Sequence, residues 1–234
     1  MNMICRLRIL WLCLALCAQE GVFAQAEASA FTLVFQPQFQ QSNLVVDETR
    51  PPDSLDITAF RCYISAVALW RDGRAVWSEP ESYHLLDAAK PASMQLALNV
   101  PDGLEFDALH FLMGIDSATS MAGAFGGDLD PTLGMYWTWQ SGYIHFKLEG
   151  FHPASGNPDR SFGLHLGGYQ GPYATVQPVA LPCANTRKLR VGINLDQFLQ
   201  QANLAEHPSV LSEGERSRQL SVLMAQLFFM ADAE

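Results

Sequence analysis

Charged side chains are scarce in this chain, 16% of 234 residues, against about a quarter in ordinary soluble domains. Basic residues are scarcer still: Lys and Arg total 14 against 24 Asp and Glu, a formal net charge of −10. Gripping a phosphate backbone takes clustered cations, so the composition argues against nucleic acid as a partner. Low charge combined with 49% hydrophobic residues is the opposite of a disordered composition. Catalytic signatures are missing as well. The chain has no G-x-S-x-G, no phosphate loop, no H-E-x-x-H and no dinucleotide fingerprint, and a non-enzymatic role is the expectation. No apolar run reaches the ~20 residues that a spanning helix needs.

Near the start, Arg6 and Arg8 precede Ile9 to Ala18, an apolar run of ten residues. Val22-Phe23-Ala24 then places small residues at the −3 and −1 positions of a cleavage site before Gln25. A basic start, a short apolar stretch and a small-x-Ala end describe a secretory signal peptide. The rival is a lipoprotein signal ending at Cys17, against which the bulky Leu16 counts. The expectation is therefore a leader over 1–24 and a single exported, periplasmic domain over 25–234. Of five cysteines, Cys5, Cys13 and Cys17 leave with that leader. Cys62 and Cys183 remain, and an oxidising compartment favours pairing them. Such a disulfide would close a loop of roughly 120 residues, for which chain entropy predicts about 4–5 kcal/mol. The alternative, a soft-metal thiolate, lacks any short ligand spacing.

What the chain does have is strand signals. Phe31 to Phe35 alternates bulky β-formers, and Phe60 to Trp70 with Arg71-Asp72-Gly73 and Arg74 to Trp77 reads as a hairpin. Short strands are expected at Tyr83 to Leu86, Met94 to Val100, Phe106 to Ile115, Phe162 to Leu166, Ala174 to Val179 and Leu189 to Leu195. Residues 116–135 form a long Gly/Ser/Asp-rich loop, in which Asp128-x-Asp130 is a solvated turn rather than a calcium loop. Tyr143 to Leu148 alternates, with Ile144, Phe146 and Leu148 on one face and His145 and Lys147 on the other, expected to face solvent. Two helices are expected late: a short one over Asp196 to Asn203, and one capped by Ser212 with Glu215 at the third position. Behind that cap, Leu220, Leu223, Met224, Leu227 and Phe228 recur at helical spacing. Many short strands with Gly and Pro turns predict an all-β, antiparallel sandwich or barrel with a short C-terminal helix.

The residues with most chemistry lie in Gly134 to Tyr143, GMYWTWQSGY. Trp137 and Trp139 share a face in extended chain. With Met135 and the flanking tyrosines they make either a hydrophobic cap, a stacking platform for a sugar or base, or a redox-active aromatic site. Of six histidines, His110 reads as packed, and His152 and His207 precede prolines in loops. His84 sits in a short strand, and His165 shares its face with Gly163 and Gly167, which leave room around the ring. Neutral imidazoles are common copper or zinc ligands.

Gly134 to Gly150, GMYWTWQSGYIHFKLEG, resembles the hallmark segment of the methanobactin-associated periplasmic (MbnP-like) family. Tyr63-Ile64-Ser65 with Asp72-Gly73, Ser82 to Asp87, Gly114 to Ser117 with Asp130-Pro131, and Leu164-His165-Leu166-Gly167-Gly168 resemble other stretches of it. The resemblance covers roughly residues 31–230. It implies an all-β periplasmic protein tied to copper handling; a zinc-binding or purely structural variant is a separate rival reading. It also implies a partner, a dihaem c-type cytochrome of the peroxidase (MauG-like) kind, which oxidises one tryptophan to kynurenine before copper binds. Trp137 and Trp139 are the matching tryptophans; Trp70 and Trp77 stay open. On this expectation His84 and His165 supply imidazoles to one metal. The rival reading is a β-sandwich module recognising a glycan or a protein through its aromatic cluster.

Overall fold

The structure, a computed structural model, describes residues 28–46, 55–138 and 140–232. The leader over 1–24 and Trp139 lie outside the described residues. In chain order the strands and helices are β1 (Ala28–Phe39), β2 (Ser42–Asn43), β3 (Asp56–Arg71), β4 (Arg74–Ser78), β5 (Tyr83–Asp87), β6 (Gln95–Pro101) and β7 (Ala108–Met113). There follow α1 (Ser117–Ala122), β8 (Tyr136–Thr138), β9 (Gly142–Phe151), β10 (Ser161–Gly167), β11 (Gln177–Pro182) and β12 (Lys188–Asn194). The chain continues with α2 (Leu195–Gln201), β13 (Ser209–Val210), α3 (Glu215–Ala225) and β14 (Phe228–Met230).

Period-two patterning builds the first sheet. In β1, Phe31, Leu33 and Phe35 are buried and alternate with half-exposed residues; β6 repeats this with Leu96, Leu98 and Val100. This sheet runs β14-β12-β1-β2, with β6 also on β1. The second sheet runs β11-β7-β3-β9-β10-β13, with β4 and β5 on the other edge of β3. The inner faces pack into one core, crossed by edge-on ring pairs such as Phe35–Phe111 at 5.8 Å and Phe111–Phe228 at 5.3 Å. The expected sandwich is therefore present. It is antiparallel in most pairings, and parallel between β1 and β12 and between β10 and β13.

β3 organises the site. Arg61–Cys62 pairs with β5 on one edge and β9 on the other, whereas the stretch around Leu69 pairs with β4 and β7. One edge of β3 thus changes partner from β9 to β7 near Tyr63, whose carbonyl accepts from Gly114 N at 2.8 Å. Residues Cys62 to Ser65 are buried on both faces, as expected of an unbroken apolar run. The outer face is covered by the chain between β7 and β9, which forms a second, smaller apolar cluster.

The C-terminal helix is present, but its start is corrected. It begins at Glu215 behind Gly214, with no side-chain cap, so Ser212 does not cap it. Gly214 has φ 153°, a conformation that glycine adopts readily, and the chain enters the helix there. Leu220 and Met224 face the core, while Phe228 leaves the helix to form β14.

The cysteines are also a correction. Cys62 and Cys183 are free thiols. Pro182 pairs with Ala108, which pairs with Trp70, so Cys183 lies beside the far end of β3. Cys62 is eight residues back along that strand, roughly 25 Å away at ~3.3 Å per residue. A disulfide needs Cα atoms about 5.5 Å apart. Burial pushes both thiols up, that of Cys183 to about 11, so neither is a ready thiolate.

Candidate functional site

Local sequence lays the aromatic segment on the outer face of the second sheet. Asp130 accepts from Thr132 N at 2.8 Å and caps a tight 3-10 turn over Pro131–Leu133, which ends at Gly134 in the left-handed region (φ 72°). The chain then drops Met135, fully buried, into the outer cluster, where its carbonyl accepts from Ile144 N at 2.9 Å. β8 returns along β9 with Tyr136 opposite Tyr143. A Cβ on Gly142, the hairpin turn residue (φ 71°), would sit 2.8 Å from the Tyr169 ring, so only glycine closes this turn.

Three phenol rings stand in file. Tyr136 meets Tyr143 at 4.9 Å and 70°, and Tyr143 meets Tyr63 at 5.7 Å and 85°, the edge-to-face geometry that ring quadrupoles favour. Their hydroxyls tie down the covering loop: Tyr63 donates to Asp128 O at 2.8 Å and Tyr143 to Leu129 O at 3.0 Å. Burial, with Tyr143 and the nearby carboxylates, raises the Tyr63 pKa; burial also raises that of Tyr143. Both phenols therefore stay protonated. Asp128 is more than a solvated turn residue, since its carboxylate accepts from Leu85 N at 3.0 Å and latches the loop to β5. Trp137, half-buried, packs against this cluster. Its ring rests on Gly167, where a Cβ would come within 2.9 Å of it.

Nearby is α1, capped by Asp116, which accepts from Thr119 N at 2.9 Å and from Tyr83 OH at 2.7 Å. Burial pushes the Asp116 carboxyl up, but these hydrogen bonds outweigh it and hold it below the usual range.

His145 is the main departure from expectation. Instead of facing solvent it is fully buried. Leu166 pairs with Phe146 and Gly167 with Ile144, so His145 is the extra residue of a β-bulge. Its ring fills the space left by Gly114, whose φ is +113° and whose Cβ would lie 2.6 Å from Nδ1. Nδ1 is 2.9 Å from Thr175 Oγ1, whereas Nε2 has no hydrogen-bond partner. Burial lowers its pKa to about 4 against a weaker opposing pull from Asp116, so the imidazole is neutral near pH 7. Alternation alone missed it. The available signal was Gly114, at the position against which its ring lies.

The MbnP family model matches residues 28–212. This chain belongs to the MbnP family. Among solved structures it is similar to MbnP from Methylosinus trichosporium, with 14% identity and a TM-score of 0.55, covering 74% of this chain and 78% of that one. At that identity the likeness speaks for the fold alone. No curated protein matches the chain.

In this MbnP-family chain His84 and His165 are not brought together. His165 pairs with Lys147, and Lys147 with Arg61; His84 pairs with Ile64. Arg61 and Ile64 differ in parity along β3, so the two histidines lie on opposite faces of the sheet. They are also three strands and three residues apart, on the order of 15 Å. Each imidazole is held by a carboxylate: His84 Nε2 by Glu79 at 2.7 Å, and His165 Nε2 by Glu149 at 2.6 Å. Among the remaining histidines, His110 lies flat on Trp70 at 4.2 Å and 9°, and His152 accepts from Ala154 N.

Among the described residues no group of three or more His, Cys, Asp or Glu is placed to hold a metal. A copper site built from these residues alone would need another kind of donor. The buried His145 Nε2 fits one coordination position; the carboxylate-bound His84 and His165 do not fit a shared one.

Proposed function

We propose that this MbnP-family protein carries copper in an exported compartment and is made competent by oxidation of Trp137 to kynurenine. The observation that supports this most is Trp137, half-buried on Gly167 and packed against the cluster that holds the ring file Tyr136–Tyr143–Tyr63. Closely spaced electron-rich rings pass an oxidising equivalent inward, and the tryptophan ring is among the side chains easiest to oxidise. A dihaem c-type cytochrome of the peroxidase kind is the proposed oxidant, using hydrogen peroxide. Two peroxide molecules deliver two oxygen atoms across the indole C2–C3 bond, which breaks, and two waters leave. Hydrolysis of the resulting formamide releases formate and leaves an aryl amine, a nitrogen donor that tryptophan lacks. That amine answers the shortage of donors in the unmodified chain, and copper is the cargo it would take. The proposed export signal over 1–24 delivers the chain to the compartment where such cytochromes reside.

The test is intact mass after co-expression with the cytochrome. The expected change is one oxygen gained and one carbon lost, in wild type and not in Trp137→Phe. Modification that persists in Trp137→Phe and vanishes in Trp139→Phe would move the assignment to Trp139.

A second reading, recognition of a glycan or a protein, is favoured by one feature. Trp70 lies parallel to His110 in a half-open apolar groove lined also by Ala66, Ala68 and Pro178. Under that reading Trp70→Ala abolishes ligand capture, and the mass of the wild-type protein does not change.

A further inference from the structure

We infer that the open edge of β6 pairs with the same edge of a second copy of this chain, an interaction surface independent of the copper reading above. An open strand edge presents unpaired N–H and C=O groups, and proteins blunt such edges with short strands, prolines, charges or covering chain. The other edges of this sandwich carry those devices. β2, β8, β13 and β14 are two or three residues long, and β11 contains Pro178 and Pro182. β4 opens on Arg74 and runs into Glu79. On β5, Asp128 takes Leu85 N and Ser93 takes Asp87 N. β6 has none of this. It is seven residues long, with no charge from Gln95 to Pro101 and no proline before its last position.

The backbone of β6 points outward at three residues. Thr32 N donates to Arg187 O, on the β12 side of β1. N–H and C=O groups of successive residues alternate between the two edges of a strand. Phe31 and Leu33 therefore turn theirs toward β6, where they lie opposite Leu98 and Leu96. Leu96, Leu98 and Val100 thus serve the ladder, and the main-chain groups of Gln95, Ala97 and Asn99 face away from it. The side chains of these three are exposed. No described residue outside the strand bonds the main chain of Ala97 or Asn99.

This edge is self-complementary. A twofold axis at Leu98 sets two antiparallel β6 strands side by side, the same patch on both copies. Ala97 then faces the partner's Asn99, and Asn99 the partner's Ala97. Each pair exchanges two hydrogen bonds, four in all. Leu96 falls opposite the partner's Val100 and Leu98 opposite its own counterpart, so the apolar inner faces continue one another. The register also ends where the strand does. The next pair would be Gln95 with Pro101, and both are already disengaged. Gln95 N donates to Ala92 O, proline has no N–H, and Pro101 O accepts from Leu104 N and Arg187. A second copy is the occupant that this symmetric pattern fits. A strand pair is a small interface, so the association is weak and depends on concentration.

The experiment is analytical ultracentrifugation of the mature chain from about 5 to 500 µM, with amide hydrogen exchange at both ends of that range. A reversible dimer is expected at the high end. The amides of Ala97 and Asn99 should exchange freely in the monomer and slow in the dimer, with Leu96 and Leu98 protected throughout. Ala97→Pro removes an N–H that no bond within the chain uses. It should fold with an unchanged melt and dissociate about 30-fold more readily, since two hydrogen bonds are lost. Asn99→Lys, the kind of charge that blunts natural edges, should also weaken the dimer. A chain that stays monomeric at the high end overturns the proposal. A dimer that both variants leave intact overturns it too, because the contact then lies elsewhere. So do Ala97 and Asn99 amides protected at every concentration, since another part of the chain then covers the edge. If Ala97→Pro fails to fold, Asn99→Lys and the wild-type exchange decide.

Discussion

The two faces of the second sheet are built on different principles. The inner face packs Phe60, Cys62, Ile64, Phe146 and Leu148 against the first sheet. The outer face packs Tyr63, Met135, Tyr143 and Ile144 under a loop, and beside them buries an imidazole with an open nitrogen. The inner face therefore supplies stability through area removed from water. The outer face spends part of its burial on groups that can be oxidised, can coordinate or can hydrogen-bond. Their placement depends on glycines at Gly114, Gly142 and Gly167 that admit large rings.

The largest expected effect tests the inner face. Phe146→Ala should cost about 3–5 kcal/mol in a denaturant melt, and a cost below ~1 kcal/mol would mean that this face is not the main core. Gly114→Ala probes the outer face. Its methyl would strike the imidazole at a positive φ, and a loss of about 3 kcal/mol is expected from strain and overpacking together. If His145→Phe is stable while Gly114→Ala is not, the requirement is for the glycine backbone as well as for the ring.

Acid should separate the faces too. The pKa of folded His145 is lowered to about 4 by burial, against ~6.5 for unfolded histidine. The unfolded chain then binds the extra proton between these values, so stability falls as pH drops from about 6.5 to 4. The loss is on the order of 3 kcal/mol. The lowered carboxylates Glu79, Asp116 and Glu149 add their loss at lower pH, as they are protonated. In His145→Phe the upper part of this window should be shallower in thermal melts from pH 7 to 4, the remaining slope coming from His110 and His152, which burial also lowers. The smallest effect is Tyr83→Phe. It removes the 2.7 Å hydrogen bond to Asp116 at a cost of about 1 kcal/mol, and should loosen α1, read as faster amide exchange there, without changing the inner core.

Much of the fold was legible in the order of residues because strands declare themselves by period. The alternation in β1 and β6 and the Asp72-Gly73 turn between β3 and β4 appear as expected. The aromatic segment Gly134 to Gly150 was legible as well, since its W-x-W-x-S-G-Y pattern and K-L-E-G end stand out in composition. The site was far less so. His84 and His165 each sit in an expected strand, yet parity through β9, β3 and β5 puts them on opposite faces, and that parity exists only once register is set.

By itself the sequence determined that this chain would be a β-rich domain, where its strands would run and which segment would carry oxidisable rings. Those features depend on neighbours within a few residues, through side-chain alternation and turn conformations. Tertiary structure decided what each polar residue faces. It buried His145 by returning a loop over the outer sheet face and inserting a bulge at Gly167, left Cys183 beside the Trp70 end of β3 and far from Cys62 in mid-strand, and gave His84 and His165 to separate carboxylates. The physical reason is that a strand's pattern states which residues share a face, whereas the solvent, ring or lone pair opposite that face arrives from chain dozens of residues away.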